Sequence, residues 1–221
     1  MIKTIHVLIV DDHPLIVEAY KNALLYFSNQ NKNFEFVISK ASNCDDAYQK
    51  VKDKIIDLVF LDIKIPPSKD GKLLSGEDLG LAMKTLRPSL KIIVSTMFNN
   101  NFRINNILSV LNPEALLIKD DIQPNNLLAA LASVFDDMPY YSKTVLKFLR
   151  KRITNTYVLD KNDMLLLYHL SKGVRTTDLT KYIPLSHGSI ERRKKQLKGV
   201  FLIDDCDDSE LIRVAEEKGF I

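Results

Sequence analysis

Five short apolar runs alternate with stretches of helical periodicity through the first 135 residues of this 221-residue chain. That alternation constrains the fold more than any other feature. The runs are Ile5–Val10, Phe34–Ser39, Ile56–Leu61, Ile92–Ser95 and Ala115–Ile118. Ile5–Val10 and Ile56–Leu61 are almost wholly apolar, as strands covered on both faces of a parallel sheet must be. Phe34–Ser39 alternates and is rich in aromatic and β-branched residues. Between the runs, Ile16, Ala19, Tyr20, Ala23, Leu24 and Phe27 recur at helical spacing after Pro14. Cys44–Lys54, Leu79–Leu86 (which stops before Pro88), Arg103–Leu111 and Pro124–Phe135 supply the other helices. Strict alternation of this kind predicts an α/β fold, a doubly wound five-stranded parallel sheet.

Composition narrows the class. Apolar residues make up 46% and charged residues 27% of the chain, ordinary for a globular protein. No apolar run approaches the ~18 residues of a membrane helix. The N-terminus reaches Asp11 too early for a secretory signal and reads as a first strand. Cys44 and Cys206 are far apart and form neither a disulfide framework nor a metal pattern, so a reducing, cytoplasmic setting is expected. The net charge of +3 hides an asymmetry. Residues 1–138 carry 15 Lys and Arg against 17 Asp and Glu, and residues 139–221 carry 16 against 11. The basic rear is a candidate for contact with nucleic acid.

The ends of the predicted strands carry the chemistry. Asp11 and Asp12 follow the first strand, Asp62 ends the third, Thr96 ends the fourth and Lys119 follows the fifth. The C-terminal ends of parallel strands open onto one crevice, so residues distant in sequence meet there. Adjacent carboxylates repel, and their charged forms call for a cation. Mg²⁺, a hard ion that takes a few oxygens and binds phosphate, fits such a set. A carboxylate there is a nucleophile for phosphorus, Lys119 neutralises transferred charge, and the Thr96 hydroxyl can bond a phosphoryl oxygen. His13 is expected to have a local polar role rather than to ligate a metal.

Val-Leu-Ile-Val-Asp11-Asp12-His-Pro, Val-Phe-Leu-Asp62-Ile-Lys-Ile-Pro66, Ile-Ile-Val-Ser-Thr96 and Leu-Leu-Ile-Lys119-Asp resemble the receiver domain of two-component response regulators over residues 1–135. The resemblance implies a flavodoxin-like fold with Asp62 as phosphoacceptor. It also implies Mg²⁺ held by Asp12, Asp62 and the backbone carbonyl of Lys64, with Asp11 acting through water. Thr96 and Lys119 would sense the phosphoryl group. Two features depart from the family. The loop Pro67–Gly76 is about five residues longer than usual, with Lys69 and Lys72 at its tip. Leu116 stands where the family usually has an aromatic switch residue.

Residues 1–137 are thus expected to form the receiver and 138–158 a helical linker, with Tyr140–Arg152 helical, Tyr140 and Tyr141 packing between domains, and Ile153–Tyr157 a short connection. Residues 159–221 are expected to form a small all-α domain with helices Asn162–Ser171, Thr176–Tyr182, His187–Phe201 and Ser209–Lys218. Thr176 and Ser186 are good N-cap types. With Ile190 and Leu197 facing inward, Glu191, Arg192 and Lys195 face outward, with Arg193 and Lys194 flanking. This segment resembles the LuxR/NarL-type helix-turn-helix output domain, although Glu191 and Arg192 replace the family's usual Lys and Val. That resemblance implies double-stranded DNA as partner, read by Ser189, Glu191, Arg192, Arg193 and Lys195, with Lys172 and Lys181 along the backbone. It also implies a homodimer, and Leu211, Ile212, Val214 and Ala215 offer a seam. The whole reads as a non-enzymatic transcriptional regulator phosphorylated by a histidine kinase. The rival readings are a phosphorylation-independent DNA binder and a protein-binding signalling adaptor.

Overall fold

The structure, a computed structural model, describes residues 2–98, 101–150, 159–203, 207–218 and 220–221. It divides into two compact units, one of Met1–Asn99 and Val110–Arg150, the other of Asn100–Ser109 and Lys151–Ile221.

In the first unit, β1 (Lys3–Val10), β2 (Phe34–Ala41), β3 (Leu58–Asp62), β4 (Lys91–Thr96), β5 (Ala115–Ile118) and β6 (Tyr140–Tyr141) form one sheet in the order β2-β1-β3-β4-β5-β6. Every pairing is parallel. The unit's helices are α1 (Pro14–Gln30), α2 (Cys44–Asp53), α3 (Gly76–Leu86), α5 (Pro124–Phe135) and α6 (Lys143–Arg150), while α4 (Asn101–Leu111) falls to the second unit as far as Ser109. The strand order reverses direction between β1 and β3, and α1 packs against α5 while α2 packs against α3. Tyr20, Leu24 and Phe27 of α1 and Leu127, Leu131 and Val134 of α5 share a buried cluster with Val7, Ile9 and Phe60. The Tyr20 ring stacks on Phe60 with centroids 4.5 Å apart, and its hydroxyl donates to Ser95 Oγ at 2.6 Å.

The α/β expectation holds, with one more strand than the sequence suggests. Tyr140 and Tyr141, expected to be helical, instead form a strand that pairs with Ala115 and Leu116. The Tyr140 N–H donates to the Glu114 carbonyl, and the Ser142 N–H to that of Leu116. An edge of β5 would otherwise leave buried backbone groups unpaired, which is costly. Tyr140 is partly buried against the core of its own unit. The helix expected over Tyr140–Arg152 starts only at Lys143, as α6, and residues 151–158, with the expected connection Ile153–Tyr157, lie outside the described residues.

The C-terminal helices are α7 (Lys161–Ser171), α8 (His187–Phe201) and α9 (Asp208–Glu217), with a 3-10 turn at Thr176–Lys181 in place of the expected second α-helix. Asp160 and Asp163 form a reciprocal capping box on α7. Ser186 caps α8, as expected, and Asp207 caps α9. Thr176 caps nothing: Arg175 occupies the cap position without a side-chain bond. Leu166, Leu170, Leu179, Ile190, Leu197, Phe201, Leu211, Val214 and Ala215 form the core. This corrects the suggested dimer seam. Leu211, Val214 and Ala215 hold their own domain together, and Ile212 packs partly buried against that core. Among the described residues, no helix is long and apolar enough to cross a membrane.

Candidate functional site

At the C-terminal edge of the first unit's sheet, Asp11, Asp62, Thr96 and Lys119 are all buried, while Asp12 and Lys64 are exposed. The fold sets each in place. Asp11 follows β1 directly, and its backbone N–H donates to the carbonyl of Ala41 in the neighbouring strand. Asp62 is the last residue of the fully buried β3, in register with Ser95 of β4. Thr96 ends β4 opposite Ile118, and Lys119 follows Ile118 at the head of a 3-10 turn, Lys119–Asp121.

The Lys119 ammonium lies 2.7 Å from Asp62 Oδ2 and 2.8 Å from Asp11 Oδ2. One cation thus serves two buried carboxylates. Burial alone would lower the Lys119 pKa, but its bonds to Asp11 and Asp62 outweigh that and raise it. For Asp62, burial dominates. It raises the pKa despite the pull of Lys119, and the charge of Asp11 adds to the rise. The Lys64 N–H donates to Asp62 Oδ1 at 3.1 Å and fixes the carboxylate's plane.

His13 turns back on the acids. Its Nδ1 lies 2.7 Å from Asp12 and 3.2 Å from Asp11, and its backbone N–H donates to Asp11 Oδ1, which is the expected local polar role. One atom from each of Asp11, Asp12, His13 and Asp62 falls within 4.8 Å of the others. The buried Asp11 Oδ2 makes no well-directed hydrogen bond beyond its ion contact with Lys119. Three convergent carboxylates with a lone pair to offer fit a hard divalent cation. An open groove of about 290 Å³ leads to the acids between Glu18, Lys40 and Asp46.

Gly76 was not singled out in the sequence, yet it governs how closely α3 approaches this strand end. A Cβ there would lie 2.3 Å from the Asp62 carbonyl oxygen and 2.7 Å from Ile63 Cα. Only glycine allows the Gly76 N–H to reach the Ile63 carbonyl at 2.9 Å in that space. The long loop before it closes on itself. Ser68 exchanges hydrogen bonds with Leu73, the Ser68 hydroxyl and the Lys72 N–H both bond Asp70, and Gly71 takes a left-handed φ of 68°. The Lys69 N–H donates to Asp45 at the start of α2. Leu116 is fully buried in the middle of β5, with no ring to reorient. Cys44 is also buried, which pushes its thiol pKa up to about 12 and leaves it protonated.

In the second unit, α8 presents Glu191, Arg192 and Lys195 to solvent, with Ser189 half-buried beside its cap Ser186. Ile190 and Leu197 face the core, as the helical phase predicts. Two basic side chains turn inward. Arg193 Nη1 lies 2.6 Å from the fully buried Asp163 and 2.8 Å from Asp160. Lys194 is buried, 2.6 Å from Asp208 and 2.8 Å from Thr176 Oγ1. Burial would raise the Asp208 pKa, but Lys194 and Lys198 more than offset it and lower it. In the acidic stretch Asp204-Asp205-Cys206-Asp207-Asp208, Asp207 caps α9 and Asp208 pairs with Lys194, while residues 204–206 lie outside the described residues. Lys172 and Lys181 are exposed. The first lies 5.5 Å from the Tyr168 ring centre, and the second is paired with Asp178. The Asp-x-x-Asp spacing at Asp160 and Asp163, ahead of an apolar run, is a sequence signal for the capping box, but nothing in it points to Arg193.

A model of the response regulator receiver domain matches residues 7–132. The chain is 22% identical to the oxygen regulatory protein NreC of Staphylococcus epidermidis over 86% of its own length and 88% of that protein's. It is also 22% identical to NreC of Staphylococcus haemolyticus, covering 96% and 97%. Among solved structures, it is similar to RcsB of Salmonella enterica serovar Typhimurium bound to promoter rprA with the phosphomimetic BeF3−. That match has a TM-score of 0.68 and 23% identity, covering 97% of this chain and 99% of the other. A second RcsB structure, bound to promoter P1flhDC, gives a TM-score of 0.69 at 22% identity, with coverage of 97% and 100%. At this identity the structural likeness is one of fold.

Proposed function

Given that this chain belongs to the response regulator receiver family, we propose that Asp62 accepts a phosphoryl group from a partner histidine kinase and that the C-terminal unit binds double-stranded DNA. The observation that carries the first part is the Lys119 ammonium held 2.7 Å from a buried, charge-crowded Asp62. An Asp62 oxygen attacks phosphorus, the bond from phosphorus to the donor imidazole nitrogen breaks, and its electron pair leaves with that nitrogen. The product is an acyl phosphate. Lys119, shared between two carboxylates beforehand, then pairs with a phosphoryl oxygen, and Thr96 donates its hydroxyl to another. Asp11, Asp12, Asp62 and the Lys64 carbonyl would hold Mg²⁺, which would draw off charge on the phosphoryl oxygens. Labelling of the full chain by acetyl phosphate should require Mg²⁺. Equal labelling in chelator would remove the acidic cluster from this role.

The DNA reading rests on the outward face of α8 and on the fold shared with promoter-bound RcsB. Arg192 and Lys195 lie at the centre of that face and are the base-reading candidates, with Ser189 and Glu191 beside them. Lys172 and Lys181 suit phosphate contacts. Arg193, engaged with Asp160 and Asp163, serves the fold first. We further propose a cytoplasmic regulator that binds DNA as a homodimer on paired half-sites. Arg192→Ala should weaken specific binding by roughly 1–3 kcal/mol and relax preference at one position per half-site. Lys172→Ala should weaken all sequences alike and reduce the slope of log K against log salt by about one. Titrations on specific and scrambled duplexes at several salt concentrations measure both. If Arg192→Ala and Lys195→Ala each leave specific affinity unchanged, α8 is not the reader, and a protein-binding adaptor replaces this reading.

A further inference from the structure

The residues that lead out of α5 into α6 are bound to the end of β5 and to the turn that carries Lys119. Ser142 is almost fully buried. Its hydroxyl accepts from the Ile118 N–H at 3.2 Å and donates to Asp121 Oδ2 at 2.7 Å. Asp121 also accepts from the Thr144 N–H at 2.8 Å and the Thr144 hydroxyl at 2.9 Å, so it closes the first turn of α6. Burial would raise the Asp121 pKa, but these hydrogen bonds reverse the shift and lower it. Ile118 and Asp121 bracket Lys119, and the Ile122 N–H closes the turn onto the Lys119 carbonyl. The Ser142 N–H bonds Leu116, the residue at the aromatic-switch position. The backbone on both sides of Lys119 is therefore held by side chains at the start of the linker.

Resting on the phosphoacceptor reading above, we infer that Ser142 and Asp121 are positioning residues for Lys119, and that the segment Tyr140–Thr144 is thereby coupled to phosphorylation of Asp62. The ammonium must bridge two carboxylates within 2.8 Å, so a small displacement of its backbone removes it from one of them. Coupling between two sites is reciprocal. If the clasp aids Lys119 in meeting a phosphoryl oxygen, a phosphoryl mimic must in turn tighten the clasp. With Leu116 lacking a ring, this hydrogen-bonded route links the site to α6 without an aromatic swing.

The test uses the full chain, Mg²⁺ and beryllofluoride. Ser142→Ala keeps the backbone pairing of β6 and removes both hydroxyl bonds, and Asp121→Ala removes the other half of the clasp. Each should still be labelled on Asp62 by acetyl phosphate but bind beryllofluoride about five- to tenfold more weakly, as loss of one or two hydrogen bonds implies. Ser142→Thr should restore most of the affinity. Val51→Ala, which trims the core under α2 without touching the clasp, should stay within about twofold of wild type and so separates positioning from general destabilisation. Amide exchange over Tyr140–Leu146 should slow on beryllofluoride binding in the wild type and not in Ser142→Ala. Unchanged affinity in both clasp variants, or linker exchange indifferent to beryllofluoride in a wild type that labels normally, overturns this inference alone. A wild type that never labels overturns the phosphoacceptor reading, and this inference with it.

Discussion

The Asp62→Asn protein will take up no phosphoryl group from acetyl phosphate or phosphoramidate under conditions that label the wild type. The amide matches the carboxylate in size and can still accept from the Lys64 N–H, so the backbone around it has no reason to move. It has no anionic oxygen to attack phosphorus. Removal of one of two crowded buried charges also leaves Lys119 with Asp11 as its full counter-ion, so the variant should be no less stable than the wild type. Loss of labelling together with an unchanged melting curve would therefore assign the chemistry to Asp62. Retained labelling in Asp62→Asn, with peptide mapping to another residue, would sink the assignment.

Arg193→Ala will destabilise the C-terminal unit by about 3 kcal/mol, the low end of what loss of one partner from a buried ion pair costs, because Arg193 itself is partly exposed. The penalty comes from Asp163. Its carboxylate has no solvent exposure and would lose a guanidinium 2.6 Å away. Lys195→Ala, two residues along on the exposed face, should change stability by less than about 0.5 kcal/mol. Denaturant unfolding followed by far-ultraviolet dichroism measures both, and equal midpoints for the two variants would refute the structural role of Arg193. The contrast bears on any DNA result. A binding defect in Arg193→Ala would be a folding defect, whereas one in Arg192→Ala would not.

The legible parts of this chain are those where one residue type has one physical meaning. Buried runs that end in Asp, Thr or Lys announced both the sheet and the crevice, and the pairing of Lys119 with Asp62 follows from topology alone. The helical phase around Ile190 placed Leu197 inside and Arg192 and Lys195 outside. The illegible parts depend on partners distant in sequence. Arg193 sits at the border of the α8 faces, and phase cannot tell whether a flanking Arg reaches solvent or an acid on α7. Leu211, Val214 and Ala215 look the same whether they pack on a twin or on their own core. A two-residue strand such as Tyr140–Tyr141 has no periodicity to read, and the Asp121 clasp is written in three ordinary polar residues. The cramped approach at Gly76 is invisible until the backbone of Asp62 is beside it.

The loop Pro67–Gly76 bonds to itself through Ser68, Asp70, Gly71 and Leu73, and it joins the segment after β3 to the start of α3. Its length is therefore nearly free as a variable. Doubling such a loop adds only ~0.6 kcal/mol of closure entropy. Apart from Gly76, residues can be inserted, removed or recoded in this loop without crowding the strand end. The strand end and the loop beside it can thus diverge in sequence at different rates.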